Sequence, residues 1–174
     1  LIFLIFYYRG KINSSRENFI KNIQNQSVKK FLSNTRISLS NDLIILIPAY
    51  NEEDNISSTL NKIPEQICGL KPFVLVISDG SDDETVCIVK KMGFNVVEHS
   101  VNLGQCAAYR TGYMISKSLD FKYLIHLDAD GQYDPIQIDR LLKPLISDNF
   151  DFISGSRILG YYENKYSYNQ IIRT

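Results

Sequence analysis

Two carboxylates come directly after an apolar stretch in the second half of the chain. Asp128 and Asp130 follow the run over residues 123–127, which has the composition of a buried strand. Acids this close repel each other, and a hard cation such as Mg²⁺ or Mn²⁺ relieves the repulsion by taking carboxylate oxygens as ligands. Because Mg²⁺ takes its other ligands from water and substrate phosphates, we predict that this pair binds a divalent cation against a phosphorylated ligand.

Two other residues suited to such a ligand also follow apolar runs. Asp79 comes before Gly80, and its carboxylate could accept hydrogen bonds from a nucleotide. Arg157 supplies a guanidinium suited to bidentate phosphate binding, although an exposed arginine is also an ordinary salt-bridge partner. The chain has neither a Gly-x-Gly-x-x-Gly motif nor a Walker loop, which disfavours a dinucleotide cofactor or an NTPase.

These residues need a scaffold that brings them together. From residue 42 onward, short apolar runs alternate with segments of helical periodicity. Buried strands that alternate with helices are typical of an α/β fold with a mostly parallel sheet covered on both faces. Ligands bind at the carboxyl ends of such strands, so the loops that hold the acids are expected to converge there. The strand candidates are residues 43–47, 73–77, 95–98, 123–127 and 150–154.

Start signals place helices between these runs. Ser81 and Glu84 have the spacing of a capping box and predict that a helix begins there. Asp134 before Pro135 predicts another helix start, and this capping role suits Asp134 better than it suits the acidic pair. Pro144 is expected to kink or shorten the helix that follows.

The N-terminal part differs in charge from the rest of the chain. Residues 1–42 hold seven Lys and Arg against two acids (7 − 2 = +5), and the remainder holds twelve against seventeen (12 − 17 = −5). Residues 1–8 are apolar but fall short of the about 20 needed to span a bilayer. Two interpretations stay open: the end of a membrane helix with basic residues on its cytoplasmic side, or a docking arm. We therefore divide the chain into an arm over residues 1–41, either linker or loosely held helix, and a domain over residues 42–174.

Composition disfavours several other classes of protein. The three cysteines have no metal-ligand spacing and are too few for a disulfide framework, which predicts reduced thiols in a cytoplasmic protein. No basic patch interleaved with aromatic residues lies in the domain, so nucleic acid is not expected as a partner. His126 lies inside a predicted strand, where a packing role is expected.

Five motifs in order resemble family 2 glycosyltransferases of the GT-A fold. The resemblance is greatest to the branch of polyprenyl- and dolichyl-phosphate mannosyl- and glucosyltransferases, and it covers about residues 43–157. In this family two acids commonly precede the Gly-Ser of the second motif, whereas the first of these positions here is Ser78. The motifs are residues 47–56, 78–85, 102–112, 127–135 and 155–157.

The resemblance implies a nucleotide-diphospho-sugar transferase with a Rossmann-like sheet and names its site residues. Asp128 and Asp130 act around Mg²⁺ or Mn²⁺, and Arg157 lies near the phosphates. Residues that line the nucleotide or the donor sugar are Pro48, Tyr50, Glu52, Asp79, Ala129 and Gln132, with Asp79 at the base.

By the same resemblance, the reaction is transfer of a hexose from a UDP- or GDP-linked sugar. The acceptor is expected to be a polyprenyl phosphate or a cell-surface glycan precursor, in glycolipid or cell-envelope synthesis at the cytoplasmic face of a membrane. Enzymes of this kind continue into an acceptor-binding half, so the donor-binding domain is expected to be incomplete at its C-terminus.

Two alternatives remain at this point. One is a nucleotide-sugar-binding fragment without catalytic activity, consistent with the short C-terminal part. The other is a phosphatase of the haloacid-dehalogenase type, because a strand followed by Asp128-Ala129-Asp130-Gly131 resembles its Asp-x-Asp-Gly motif. The next residue, Gln132, counts against the phosphatase, which usually has Thr or Val there.

Overall fold

The computed structural model describes residues 2–34, 42–148 and 150–155, and side chains from residue 13 onward. The chain divides into two compact units, Leu1–Ile138 and Asp139–Thr174. In chain order the elements are α1 Ile2–Asn34, β1 Leu43–Ala49, α2 Ile56–Asn61, β2 Pro72–Ser78, α3 Thr85–Lys91, β3 Asn95–Glu98, α4 Gln105–Ser118, β4 Tyr123–His126, a 3₁₀ turn Pro135–Gln137 and α5 Ile138–Ser147.

The first unit is built on a four-stranded parallel sheet in the order β3-β2-β1-β4. Ile45 in β1 pairs with Val74 in β2 and with Ile125 in β4, so β1 has a strand on each side. All seven residues of β1 are buried, which explains why its sequence is continuously apolar. The predicted α/β fold with a parallel sheet is therefore confirmed, together with four of the five predicted strands.

The fifth predicted strand, over residues 150–154, is wrong. The structure has irregular backbone from residue 150 to residue 155, and the side chain of Phe152 is 81% exposed. A strand needs a partner for its backbone N–H and C=O groups, and none of the described strands pairs with this segment. The alternating apolar residues that suggested a strand are thus not sufficient to form one.

α1 shows that the linker interpretation is wrong for residues 9–34, because these residues are helical. Its C-terminal half contacts the rest of the first unit: Gln24 Nε2 donates to the Ala107 carbonyl at 2.9 Å, and Ser27 Oγ donates to the Glu98 carbonyl at 2.6 Å. The first compact unit therefore takes in residues assigned above to an arm. The buried residues of α1 are Ile23, Gln24, Ser27, Val28 and Phe31.

None of the helices in the described ranges is long and apolar enough to cross a bilayer.

The capping box predicted at Ser81 and Glu84 is wrong. α3 begins four residues later, at Thr85, whose N–H donates to Asp83 Oδ1 at 2.9 Å. Ser81 Oγ instead accepts the N–H of Asn51 at 3.2 Å, from the loop after β1. The Ser81 side chain therefore hydrogen-bonds to another segment and does not cap a helix.

The start signal at Asp134 is confirmed. Asp134 Oδ1 accepts the N–H of Ile136 at 3.1 Å, and Pro135 occupies the first position of the 3₁₀ turn. Pro144 does not end the helix that follows, because α5 continues to Ser147.

Gly80 lets two loops approach each other closely after β2 and β3. Its φ is +74°, and a Cβ atom built on it would lie 2.4 Å from the carbonyl carbon of Val101 and 2.5 Å from the nitrogen of Asn102. Both the backbone conformation and the available space therefore exclude a side chain here. Gly93 has a similar φ of +81°, but a Cβ atom there would meet nothing within 4 Å.

We expect Gly80→Ala to lower the free energy of unfolding by about 2–5 kcal/mol, from the strained φ plus overpacking. Gly93→Ala, the matched control, should lose only the strain contribution of about 1–2 kcal/mol. Urea unfolding followed by circular dichroism measures both. Equal losses of unfolding free energy in the two variants would mean that a Cβ atom at residue 80 causes no overpacking between the two loops.

Candidate functional site

The carboxyl ends of the four strands lie at the same edge of the sheet because all four run parallel. The segments that leave this edge are residues 50–55 after β1, 79–84 after β2, 99–104 after β3 and 127–134 after β4. We call these four segments the carboxyl edge. The predicted convergence of the polar loops is confirmed by direct hydrogen bonds for the loops after β1 and β2. The loop after β4 is held by residues of α2 and α4. The loop after β3, which was not among the predicted loops, is joined to the loop after β2.

The first two segments of the carboxyl edge are joined by backbone-to-side-chain hydrogen bonds. The N–H of Glu52 donates to Thr85 Oγ1 at 2.8 Å, and the N–H of Glu53 donates to Asp83 Oδ2 at 3.1 Å. In return, Glu53 Oε2 accepts the N–H of Glu84 at 2.9 Å. The loop after β1 is therefore fixed to the start of α3.

Asp79 joins the second and third segments. It is 3% exposed, and Oδ1 lies 2.7 Å from His99 Nδ1. The N–H of Leu103 donates to Oδ1 at 3.0 Å, and the N–H of Gly104 donates to Oδ2 at 2.6 Å. Burial alone would raise the pKa of Asp79, but the hydrogen bonds from His99, Leu103 and Gly104 outweigh it and hold the pKa below its usual value.

His99 carries this network on to α4. Its Nε2 lies 2.7 Å from Thr111 Oγ1, and the Thr111 hydroxyl also donates to the Ala107 carbonyl at 3.2 Å. Both ring nitrogens of a fully buried histidine are thus in use. The sequence contains no local signal for this pairing, because Asp79 and His99 are 20 residues apart.

The two acids after β4 occupy different environments. Asp128 is partly buried, and its Oδ1 accepts the hydroxyl of Tyr109 at 3.2 Å and Nε2 of Gln105 at 3.3 Å. Asp130 is exposed, and its Oδ1 accepts the N–H of Gln132 at 2.9 Å. The segment therefore offers two carboxyl groups separated by one residue.

The backbone between the two acids is anchored from α2. The buried hydroxyl of Thr59 donates to the carbonyl of Ala129 at 3.0 Å, and Ala129 itself is 3% exposed. Gly131 follows with φ +74°, a conformation that turns the chain back after Asp130. The acids therefore project from a segment whose backbone is fixed.

The oxygen ligands of this segment suit Mg²⁺ or Mn²⁺, which prefer carboxylates, water and phosphate oxygens. In the described part of the chain, no group of three or more His, Cys, Asp and Glu residues is placed to hold a metal ion. Asp128 and Asp130 would therefore hold a cation only together with water and oxygens of the ligand. This donor set fits a divalent cation whose remaining ligands would be water and phosphate oxygens.

An aromatic cluster lies beside Asp128. The ring centroid of His126 is 4.3 Å from that of Tyr109 and 5.4 Å from that of Tyr113, whose hydroxyl lies 2.7 Å from His126 Nε2. Burial lowers the pKa of His126 although Asp128 opposes the shift, and burial followed by the Asp128 charge raises the pKa of Tyr109. Tyr109 is therefore a neutral phenol that donates to Asp128. His126 is exposed at the end of β4, and its ring lies against the two tyrosine rings.

The other predicted site residues differ in accessibility. Pro48 is buried within β1, Tyr50 is 48% exposed at the start of the first loop, Glu52 is partly buried and Gln132 is exposed. Arg157 lies outside the described residues, so its role stays a prediction.

Comparisons with known proteins agree with this arrangement. The sequence model of the family described as "Glycosyl transferase family 2" matches residues 44–173. An uncharacterized protein of Methanocaldococcus jannaschii is 36% identical over 124 residues, which cover 71% of this chain and 50% of that protein. A dolichyl-phosphate hexose transferase of Haloferax volcanii is 34% identical over 117 residues, covering 67% of this chain and 48% of that protein.

Among solved structures, the fold is similar to glucosyl-3-phosphoglycerate synthase from Mycobacterium tuberculosis, crystallised with Mn²⁺, UDP and glucosyl-3-phosphoglycerate. The TM-score is 0.51 at 20% identity, and the match covers 66% of this chain and 46% of that one. The chain thus spans about half the length of the relatives that it matches.

We expect Asp79→Asn to lower the free energy of unfolding at pH 7 by about 1–3 kcal/mol, because an amide has one acceptor oxygen instead of two and leaves at least one of the buried donors of His99, Leu103 and Gly104 unsatisfied. A depressed pKa means that this stabilisation is complete above about pH 4 and is lost as the pH falls through the folded-state pKa. Urea unfolding between pH 2 and pH 7 should therefore show that acidification lowers the free energy of unfolding less in the variant than in the wild type. Asp82→Asn changes an exposed acid of the same loop and is the control; it should change neither the free energy of unfolding at pH 7 nor its decrease at low pH. An equal decrease at low pH in the wild type and in Asp79→Asn would contradict the role assigned to Asp79.

Proposed function

Because this chain belongs to glycosyl transferase family 2, we propose that it is the donor-binding part of an enzyme that transfers a hexose from a nucleotide-diphosphate sugar. The observation that carries the proposal is the pair Asp128 and Asp130, which β4 delivers to the carboxyl edge on a backbone anchored by Thr59. This is where open parallel sheets bind their ligands.

Asp128 and Asp130 are the proposed ligands for Mg²⁺ or Mn²⁺ in complex with the donor diphosphate. When bound, such a cation neutralises the negative charge that develops on the departing nucleoside diphosphate. The two carboxylates orient the diphosphate at the end of β4, and the anchored Ala129 backbone keeps that position constant. The Mn²⁺ and UDP in the crystals of the structural neighbour support this choice of ligand and cation.

The nucleotide is proposed to lie along the first loop of the carboxyl edge. Tyr50 is exposed there and offers an aromatic face, and Pro48 and Glu52 fix the loop on either side of it. Gln132, which is exposed, would lie beside the donor sugar, whereas Ala129 is 3% exposed and holds the backbone between the two acids. For Asp79 the structure supports a different role from contact with the base, because its carboxylate is buried and already accepts three hydrogen bonds.

The proposed acceptor is a lipid phosphate. This rests on the dolichyl-phosphate hexose transferase among the relatives, and it has a chemical advantage. A phosphate is already anionic and can attack the sugar without a general base, which an acceptor hydroxyl would require. We propose that the reaction takes place at the cytoplasmic face of a membrane, where the basic residues of the N-terminal part would be attracted to anionic lipids.

The alternative function is binding of a nucleotide sugar without turnover. Binding of a UDP- or GDP-sugar with no transfer to any polyprenyl phosphate would support it. The phosphatase reading of Asp128-Ala129-Asp130-Gly131 loses its basis, because the transferase family matches the chain over residues 44–173.

We expect Asp128→Ala to lower the Mn²⁺-dependent affinity for UDP- or GDP-sugars at least about 10-fold, since it removes a cation ligand. Calorimetric titration with and without Mn²⁺ measures this. Asp42→Ala is the control, because that acid pairs with Lys122 at 3.1 Å and lies just before β1, at the amino end of the sheet. Unchanged affinity of Asp128→Ala in the presence of Mn²⁺ would refute the proposed site.

A further inference from the structure

The first turn of α4 is held in place from two sides. At its start, the N–H of Gly104 donates to Asp79 Oδ2 at 2.6 Å and to Asn102 Oδ1 at 3.0 Å. From α1, Gln24 Nε2 donates to the carbonyl of Ala107 at 2.9 Å. Side chains on this turn therefore start from a backbone that is fixed to the sheet and to α1.

Two of these side chains reach the same oxygen of Asp128. Gln105 and Tyr109 are four residues apart, so they share one face of the helix. Their donors lie 3.3 Å and 3.2 Å from Asp128 Oδ1. The ring of Tyr109 also lies against His126, the last residue of β4, two positions before Asp128.

We propose that Tyr109, assisted by Gln105, is a positioning residue that fixes the carboxylate of Asp128 for cation binding. A carboxylate can rotate about its last bond, and hydrogen bonds that restrict this rotation raise its affinity for a cation. Two donors on Oδ1 restrict the rotation and commit one oxygen to the protein, which leaves the second oxygen for the cation. This inference rests on the proposed function, because it requires Asp128 to be a cation ligand.

The two tyrosines of α4 allow a matched test. Tyr109→Phe removes the hydroxyl that donates to Asp128, whereas Tyr113→Phe removes a hydroxyl from the same aromatic cluster that lies 2.7 Å from His126 Nε2 instead. Mn²⁺ affinity is measured from the electron paramagnetic resonance signal of free Mn²⁺, with saturating UDP and separately with saturating GDP. We expect the Kd for Mn²⁺ to rise about 10-fold in Tyr109→Phe and to stay at the wild-type value in Tyr113→Phe.

Nucleotide affinity without Mn²⁺ separates positioning from general damage, and it should be unchanged in both variants. Gln105→Ala, at an exposed position, provides a second variant and should shift the Kd for Mn²⁺ in the same direction by a smaller factor. If Tyr109→Phe does not fold, Gln105→Ala decides the question alone.

The possible failures can be distinguished. If the wild type binds Mn²⁺ with neither nucleotide, the proposed function is wrong and this inference is wrong with it. If the wild type binds and Tyr109→Phe binds equally well, only the positioning role is overturned. If Tyr109→Phe and Tyr113→Phe lose the same affinity, the effect comes from packing of the aromatic cluster, and the positioning role is again overturned.

Discussion

The buried carboxylate of Asp79 holds the carboxyl edge together. Its own N–H donates to the carbonyl of Ala49 at 2.9 Å, which ties it to the end of β1. Its oxygens accept from His99, Leu103 and Gly104, which ties it to the loop after β3 and to the start of α4. A buried charge is costly unless it is paired and hydrogen-bonded, so this carboxylate requires all of these segments to be in place at once.

The position of α4 transmits this constraint to the acids after β4. Gly112 faces β1 so closely that a Cβ atom on it would lie 2.7 Å from Leu46 Cδ1, and the helix therefore packs directly on the central part of the sheet. Asp79 fixes one end of α4 and this close packing fixes its middle. The partly buried Tyr109 on the same helix then reaches Asp128. The position of Asp128, after β4, therefore depends on the hydrogen bonds of Asp79, which lies after β2 on the opposite side of β1.

Features set by neighbouring residues could be predicted from the sequence, whereas contacts between residues far apart along the chain could not. The strand over residues 43–49 can be recognised from its own residues, because all seven are buried and all seven are apolar. The partners of Asp79 lie 20 to 25 residues away and leave no local pattern. The same reason explains the failure at Ser81, whose capping pattern is local while its actual partner, Asn51, is 30 residues away.

Two carboxylates alone make a weak cation site, and this has a consequence for how the donor would bind. If Asp128 and Asp130 supply only part of the ligand set, the remaining oxygens come from water and from the donor diphosphate. Each ligand then completes the site of the other, so the factor by which the cation raises nucleotide affinity equals the factor by which the nucleotide raises cation affinity. A site of this kind stays weakly occupied by either component alone. It discriminates in favour of diphosphates over nucleotides that lack the bridging oxygens, and it does so without any base-specific contact from the acids themselves.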